Sequence, residues 1–373
     1  MPFVERGGRL RGVLDLVTGC YPGYLFGGGI GRQLPVFHLH EATVEFLEPR
    51  LRHLAENGYR TLSADDVAAY VRAGAALPDR AVVLTFDDAR ASLWTVAAPL
   101  LRRYGLHAIT FAIPARVTDA TAVRPTINDG RAPADAAADD TSAVPFATWP
   151  ELRALAASGT LEVHSHTRTH ASIFCSDTVV DFITPTFASE HILDHPLVSA
   201  LHAPVFLGPA ALGAPLFVRR SRMSDARRFV LSPSLVDDMT GFVADQGGAA
   251  FFERPDWRQT LTARMPSSAG TYEPESQRRL DIADELSAGR DLLDERLGDG
   301  TARHVALPWG VAGRDTLRVL PASGYQTAYA EDLFRRRTVR TGDNPYQLMR
   351  LNGRFILCLP GTGRQYFFSQ SVQ

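Results

Sequence analysis

Residues 81–88 read A-V-V-L-T-F-D-D: six apolar or β-branched residues in a row, then two carboxylates. An unbroken run of this kind, without polar alternation, is the pattern of a strand covered on both faces, as parallel strands are in α/β proteins. Helical spacing flanks it. Upstream, Val44, Leu47, Leu51 and Leu54 recur at helical intervals and the pattern stops at Gly58; downstream, 93–104 reads as a helix. Strand-like runs at 34–40, 59–62, 108–113 and 161–164 continue the alternation, with Ser63 set to cap a helix beginning at Ala64 and a helix over 149–158 ended by Gly159. The pattern resumes with a helix over 277–297, strands at 305–307 and 327–330, a helix near 315–323 and a last strand within 351–359. Such β-α-β alternation predicts a parallel sheet or an α/β barrel.

Composition narrows the class. The 373 residues are 45% hydrophobic and 21% charged, ordinary for a soluble globular protein and wrong for disorder. A formal net charge of −2 gives no electrostatic reason to expect nucleic acid as a partner. Cys20, Cys175 and Cys358 are odd in number and far apart, so they form neither a disulfide framework nor a zinc-finger spacing. The first residues lack the apolar core of a signal peptide, and no run approaches the roughly 18 apolar residues of a transmembrane segment. The expectation is a cytoplasmic protein. The glycine-rich stretch L-F-G-G-G-I-G-R (25–32) lacks the preceding strand and following helix of a nucleotide loop, and 118–142 reads as an exposed loop. From 171 to about 274 the alternation disappears and Pro, Gly and Arg become frequent, which predicts a long insertion.

The chemistry gathers where the strands end. In parallel α/β folds, ligands bind beyond the C-terminal ends of strands. Four polar groups fall there: His38 and His40, Asp87 and Asp88, the cluster V-H-S-H-T-R-T-H (163–170), and the turn L-P-W-G (307–310). One of two adjacent aspartates can cap the next helix. Their side chains diverge, however, so one can also bind a metal while the other accepts a proton. His166 and His170 stand four apart, which brings both imidazoles to one side of a turn. One carboxylate with two neutral imidazoles leaves open positions for water and substrate, a catalytic rather than a structural metal arrangement. Zinc is the default ion for such donors, with cobalt, nickel, manganese and iron as alternatives.

These stretches resemble the motifs of the polysaccharide deacetylases, the NodB-homology or carbohydrate esterase family 4 enzymes. T-F-D-D-A (85–89) is similar to their T-F-D-D-G, H-T-R-T-H (166–170) to their H-[S/T]-x-x-H, and L-P-W-G to the end of their third motif. The resemblance covers roughly 34–172 and 276–352. It implies a distorted (β/α)7-type barrel with a large irregular insertion. It divides the chain into an N-terminal extension (1–33), a catalytic domain (34–352) interrupted by the insertion at 173–275, and a C-terminal strand and tail (353–373).

Carried over residue by residue, the resemblance makes Asp87 the general base and Asp88, His166 and His170 the ligands of one divalent metal ion. The implied reaction is removal of an N-acetyl group from an amino sugar or glycan-like substrate, with Pro308, Trp309 and Gly310 as a pocket wall. Alternatives are a deformylase or other amide hydrolase acting on a non-polymeric substrate, and a catalytically impaired carbohydrate-binding relative. Three positions depart from the pattern. Ala89 stands where the family has glycine. Ala306 stands where the family's base-orienting arginine falls, with Arg350 as a candidate substitute. No Leu-x-His motif supplies a general acid, for which His38, His40 and His304 are candidates. His164 is expected to share a face with His166 but to lie outside the ligand set.

Overall fold

The protein, seen in a computed structural model, is described for residues 16–370 apart from Glu41, Glu190, residues 200–202 and Leu333. The described residues divide into two compact units: 16–169, 285–310 and 317–370 form the larger, while 170–284 and 311–316 form the smaller.

The larger unit is built on one eight-stranded sheet: β1 (Val36–Leu39), β2 (Arg60–Thr61), β3 (Ala81–Asp88), β4 (Ala108–Ala112), β5 (Leu161–Ser165), β6 (His304–Ala306), β7 (Thr327–Tyr329) and β8 (Leu351–Asn352). Seven strands run in the order β7-β6-β5-β4-β3-β1-β8, and β2 pairs with the start of β3. Every recorded pairing is parallel, and the sheet curls into a half-barrel. All eight residues of β3 are buried, as its unbroken apolar run predicts.

Its side chains alternate between two cores. Val82, Leu84 and Phe86 join one cluster with α1 (Val44–Glu56) through Leu47, Leu51 and Leu54, and with the helix Trp149–Ala157 through Leu152 and Leu155. Ala81 and Val83 join the other, with Ile109, Phe111, Ala306, Tyr329 and α2 (Ala64–Ala73) through Val67, Tyr70 and Val71. Ser63 caps α2 in a full capping box with Asp66. The expected helix over 93–104 begins as a wide π turn, Leu93–Ala97, before the α-helix Ala98–Tyr104.

Two boundaries differ from the sequence reading. The strand expected within 351–359 is only Leu351–Asn352; residues Gly353–Cys358 form a 3-10 turn, so the segment from 353 onward contributes no strand. Asn352 caps that turn by accepting from the Arg354 N–H at 2.9 Å, and a Cβ on Gly353 would sit 2.7 Å from Leu39. The run F-I-L-C-L is apolar because it is buried, and apolarity alone does not separate a buried turn from a buried strand. At the other end, Tyr24 and Leu25 within the expected extension are fully buried in the larger unit's core.

The smaller unit is more ordered than the loss of alternation suggests. Its described residues form three antiparallel strand pairs: Ser172–Phe182 with Pro215–Ser221, Leu197–Ser199 with Val205–Phe206, and Phe229–Leu231 with Gly270–Tyr272. Helices Leu235–Asp245 and Trp257–Arg264 accompany them. A separate core of Phe174, Phe182, Phe217, Phe229, Phe251, Met239 and Val243 holds the unit together. Among the described residues no helix is long and apolar enough to cross a membrane.

Candidate active site

Asp87 and Asp88 end β3, and the backbone there explains their divergence. Asp88 (φ +69°) and Ala89 (φ +51°) both adopt left-handed conformations, which turn the chain sharply as it leaves the sheet. Ala89 therefore occupies a backbone state that glycine favours, consistent with the family's glycine at this position. Thr167 (φ +62°) and His170 (φ +56°) repeat the device after β5, as does Trp309 (φ +55°) after β6. Strain of this sort in non-glycine residues costs about 1–3 kcal/mol each and concentrates at functional sites.

The result is convergence. Asp88, His166 and His170 each offer one donor atom, all within 4.8 Å of one another, and all three residues are buried. His166 Nε2 stands 3.5 Å from Asp88 Oδ1. On its other side, His166 Nδ1 lies 2.7 Å from the carbonyl oxygen of Ala306. A carbonyl only accepts, so Nδ1 carries the proton and Nε2 presents its lone pair toward Asp88. One carboxylate and two imidazoles with a fixed tautomer fit a divalent ion of the zinc type, with coordination positions left over.

Asp87 is turned to a different partner. Arg350, immediately before β8, grips it in a fork: Nη1 to Oδ1 at 2.6 Å and Nη2 to Oδ2 at 2.8 Å. Arg350 Nη1 also donates to Thr85 Oγ1 at 3.0 Å, and its guanidinium lies over the rings of Tyr329 at 5.5 Å and Phe111 at 5.8 Å. Burial alone would push the Asp87 carboxyl up. The Arg350 guanidinium, with His166 and His40 behind it, outweighs burial and holds Asp87 well below the usual carboxylate range. Arg350 reaches Asp87 from the side of β3 opposite Ala306, since it leads into β8, β8 pairs with β1 and β1 with β3.

The candidate acids separate. His40 Nε2 lies 3.7 Å from Asp87 Oδ2 with a half-exposed side chain. His38 packs edge-on against His40 with ring centroids 5.4 Å apart, and its Nδ1 is buried without a hydrogen-bond partner. Burial, then Arg350, lowers its pKa to about 3, so it stays neutral near pH 7. His304 is remote from all this: it opens β6, is fully buried, and bonds Thr327 Oγ1 at 2.8 Å and Asp65 at 3.2 Å. His164 turns away from the ligand set as well. Its Nε2 stands 3.3 Å from Glu162, and its ring meets that of His304 at 4.7 Å. Pro308, Trp309 and Gly310 form a turn two residues beyond the Ala306 carbonyl, with Pro308 buried and the other two partly exposed. Gly310 (φ +69°) is required there, because a Cβ would come 2.6 Å from Glu331 Cγ.

Sequence reading reaches Asp87, Asp88, His166 and His170 by motif, and the structure brings the last three together. That reading has no means of finding the supports: the Ala306 carbonyl is a backbone group, and Phe111 and Tyr329, whose rings meet at 5.3 Å, look like ordinary core residues until Arg350 is laid over both.

Comparison with known proteins agrees with the motifs. Residues 74–194 match the family model of polysaccharide deacetylases. Over 121 residues the chain is 31% identical to the poly-beta-1,6-N-acetyl-D-glucosamine N-deacetylase of Escherichia coli K12, a match spanning 32% of this chain and 17% of that relative's length. Among solved structures, the BpsB deacetylase domain from Bordetella bronchiseptica superposes with a TM-score of 0.50 at 18% identity, covering 87% of this chain and 97% of that one. That likeness bears out the half-barrel fold.

Proposed function

We propose that this chain is a divalent-metal-dependent deacetylase that hydrolyses the N-acetyl group of an amino sugar within a glycan, with zinc as the ion. The observation that carries the reading is the adjacency of two differently equipped carboxylates: Asp88 in the Asp88–His166–His170 donor set, and Asp87 in the grip of Arg350. The family match over 74–194 and the activity printed for the Escherichia coli relative supply the substrate class.

A divalent ion held by Asp88, His166 and His170 supplies Lewis acidity toward a water and an acyl oxygen. The chain's own residues do the rest. Asp87 is ionised and oriented by its bidentate arginine, so one oxygen can accept the proton of the attacking water. His40 is close enough to Asp87, and open enough to solvent, to return a proton to the departing amine. His38, enclosed beside Arg350 and neutral, is a packing partner for His40 in this scheme. The reading of an impaired binding protein draws its support from the missing acid and the missing arginine; Arg350 makes the contact that arginine would make, and His40 is the group placed to serve as the acid.

The test is acetate release from N-acetylglucosamine oligomers by zinc-loaded protein, with metal content measured in parallel. Asp87→Asn is expected to keep its metal and lose activity by about 10²–10⁴-fold. Wild-type protein that takes up no divalent metal overturns the proposal; formate release from formylated substrates, without acetate release, redirects it to the deformylase.

A further inference from the structure

Thr167 is a β-branched residue held at φ +62°, an unfavourable conformation that persists only where the surroundings enforce it. It sits between the two histidines of the ligand set, so whatever enforces it also sets their separation. The enforcing group comes from the helix Glu275–Leu297, which carries no family motif. Glu285, buried at 6% exposure, directs one carboxylate oxygen at the turn. Its Oε1 accepts from Thr167 Oγ1 at 3.0 Å, from the Thr169 backbone N–H at 2.6 Å and from Thr169 Oγ1 at 2.8 Å. The Glu285 carbonyl adds a fourth bond, accepting from the Arg168 N–H at 2.9 Å. One turn along the same helix, Gly289 lets the backbones approach: a Cβ there would lie 2.7 Å from the Arg168 nitrogen and 3.0 Å from the Thr167 carbonyl carbon. From the other side, Ala115 N–H donates to the Arg168 carbonyl at 3.0 Å.

We propose that Glu285 is a positioning residue for the metal ligands, its carboxylate and carbonyl together fixing the Thr167–Thr169 turn that presents His166 and His170. The chemistry is economical. A buried carboxylate is costly unless its acceptors are filled, and here the donors that fill it all belong to one three-residue turn. The bonds convert a strained loop into a template for the ion, the role that groups behind metal ligands commonly play. This inference rests on the metal-dependent reading above.

It is tested on the full chain with zinc and cobalt(II) as probes, by chelator competition, apo-protein melting and the cobalt visible spectrum. Glu285→Ala is expected to weaken zinc binding by about 10–100-fold and to change the cobalt band at saturating metal. Glu285→Gln, which keeps an acceptor oxygen, is expected to retain wild-type affinity within about threefold. Thr169→Val, which removes one donor, decides the matter should Glu285→Ala fail to fold; about tenfold weaker binding is expected. A purely structural role would lower the apo melting temperature and leave the saturated cobalt spectrum unchanged. Folded variants that bind zinc as wild type does overturn the positioning proposal alone. Wild-type protein that binds no zinc overturns the metal reading and takes this inference with it.

Discussion

At the C-terminal ends of the strands, Asp88, His166 and His170 bring three donor atoms within 4.8 Å. Nearer the strand starts, a second group is as rich in titratable side chains. There Glu162 stands 3.4 Å from His107 and 3.3 Å from His164, whose ring leans on His304, itself 3.2 Å from Asp65. The two groups have similar composition and opposite organisation. In the lower one the imidazoles are paired off with separate carboxylates, His107 and His164 with Glu162 and His304 with Asp65, and Glu162 also accepts from the Ala64 N–H at 3.0 Å. In the upper one the donor atoms face one another across a common point, and the hydrogen bonds lie behind them, on Ala306 and Glu285. Histidines and acids in number do not make a metal centre; donors that converge while their far sides are held do.

Breaking the upper group has the largest consequence. Asp88→Ala removes the only anionic ligand and is expected to reduce zinc affinity by at least about 100-fold, while His164→Gln in the lower group leaves affinity unchanged; chelator competition distinguishes them. Next is the fork on the base. Arg350→Met leaves the buried Asp87 carboxylate without its counter-charge, an expected loss of about 3 kcal/mol in urea denaturation with metal content retained.

The lower group gives the smallest effect, and its sign can be worked out. Burial depresses the His304 pKa to about 2, against about 6.5 in an unfolded chain. Between those values the folded state binds fewer protons, so the stability contributed by neutral His304 is fully present above pH 6.5 and lost as pH falls below it. His304→Gln is expected to flatten the acid limb of stability by up to about 1.4 kcal/mol per pH unit, measured by denaturation between pH 7 and 5.

Legibility followed the range over which the physics acts. The burial of β3, the capping box at Ser63 and the helix-ending glycines are local, and the sequence shows them directly. The Asp88–His166–His170 set is visible because the two histidines are four residues apart and Asp88 lies at a recognisable strand end. Arg350 is a candidate substitute by sequence, but the two adjoining rings beneath its guanidinium come from β4 and β7, and no sequence interval connects them. Glu285 was invisible: its bonds to Thr167 and Thr169 span 118 and 116 residues, and within its own helix it looks like one more surface acid. The smaller unit reads as irregular because its longest strand pair is broken by register shifts, its other described strands are two or three residues long, and its core is gathered from separated phenylalanines, a pattern with no period to detect.

The reach of Arg350 has a consequence in time. Asp87 and the arginine that grips it are 263 positions apart, and the strand that Arg350 leads into is only two residues long. A ribosome finishes both motifs, 85–89 and 166–170, long before it adds the guanidinium that steadies Asp87. A chain interrupted between residues 171 and 284 would carry Asp88, His166 and His170 and still lack Glu285, the Ala306 carbonyl and Arg350, so the groups that hold the site all arrive after the groups they hold.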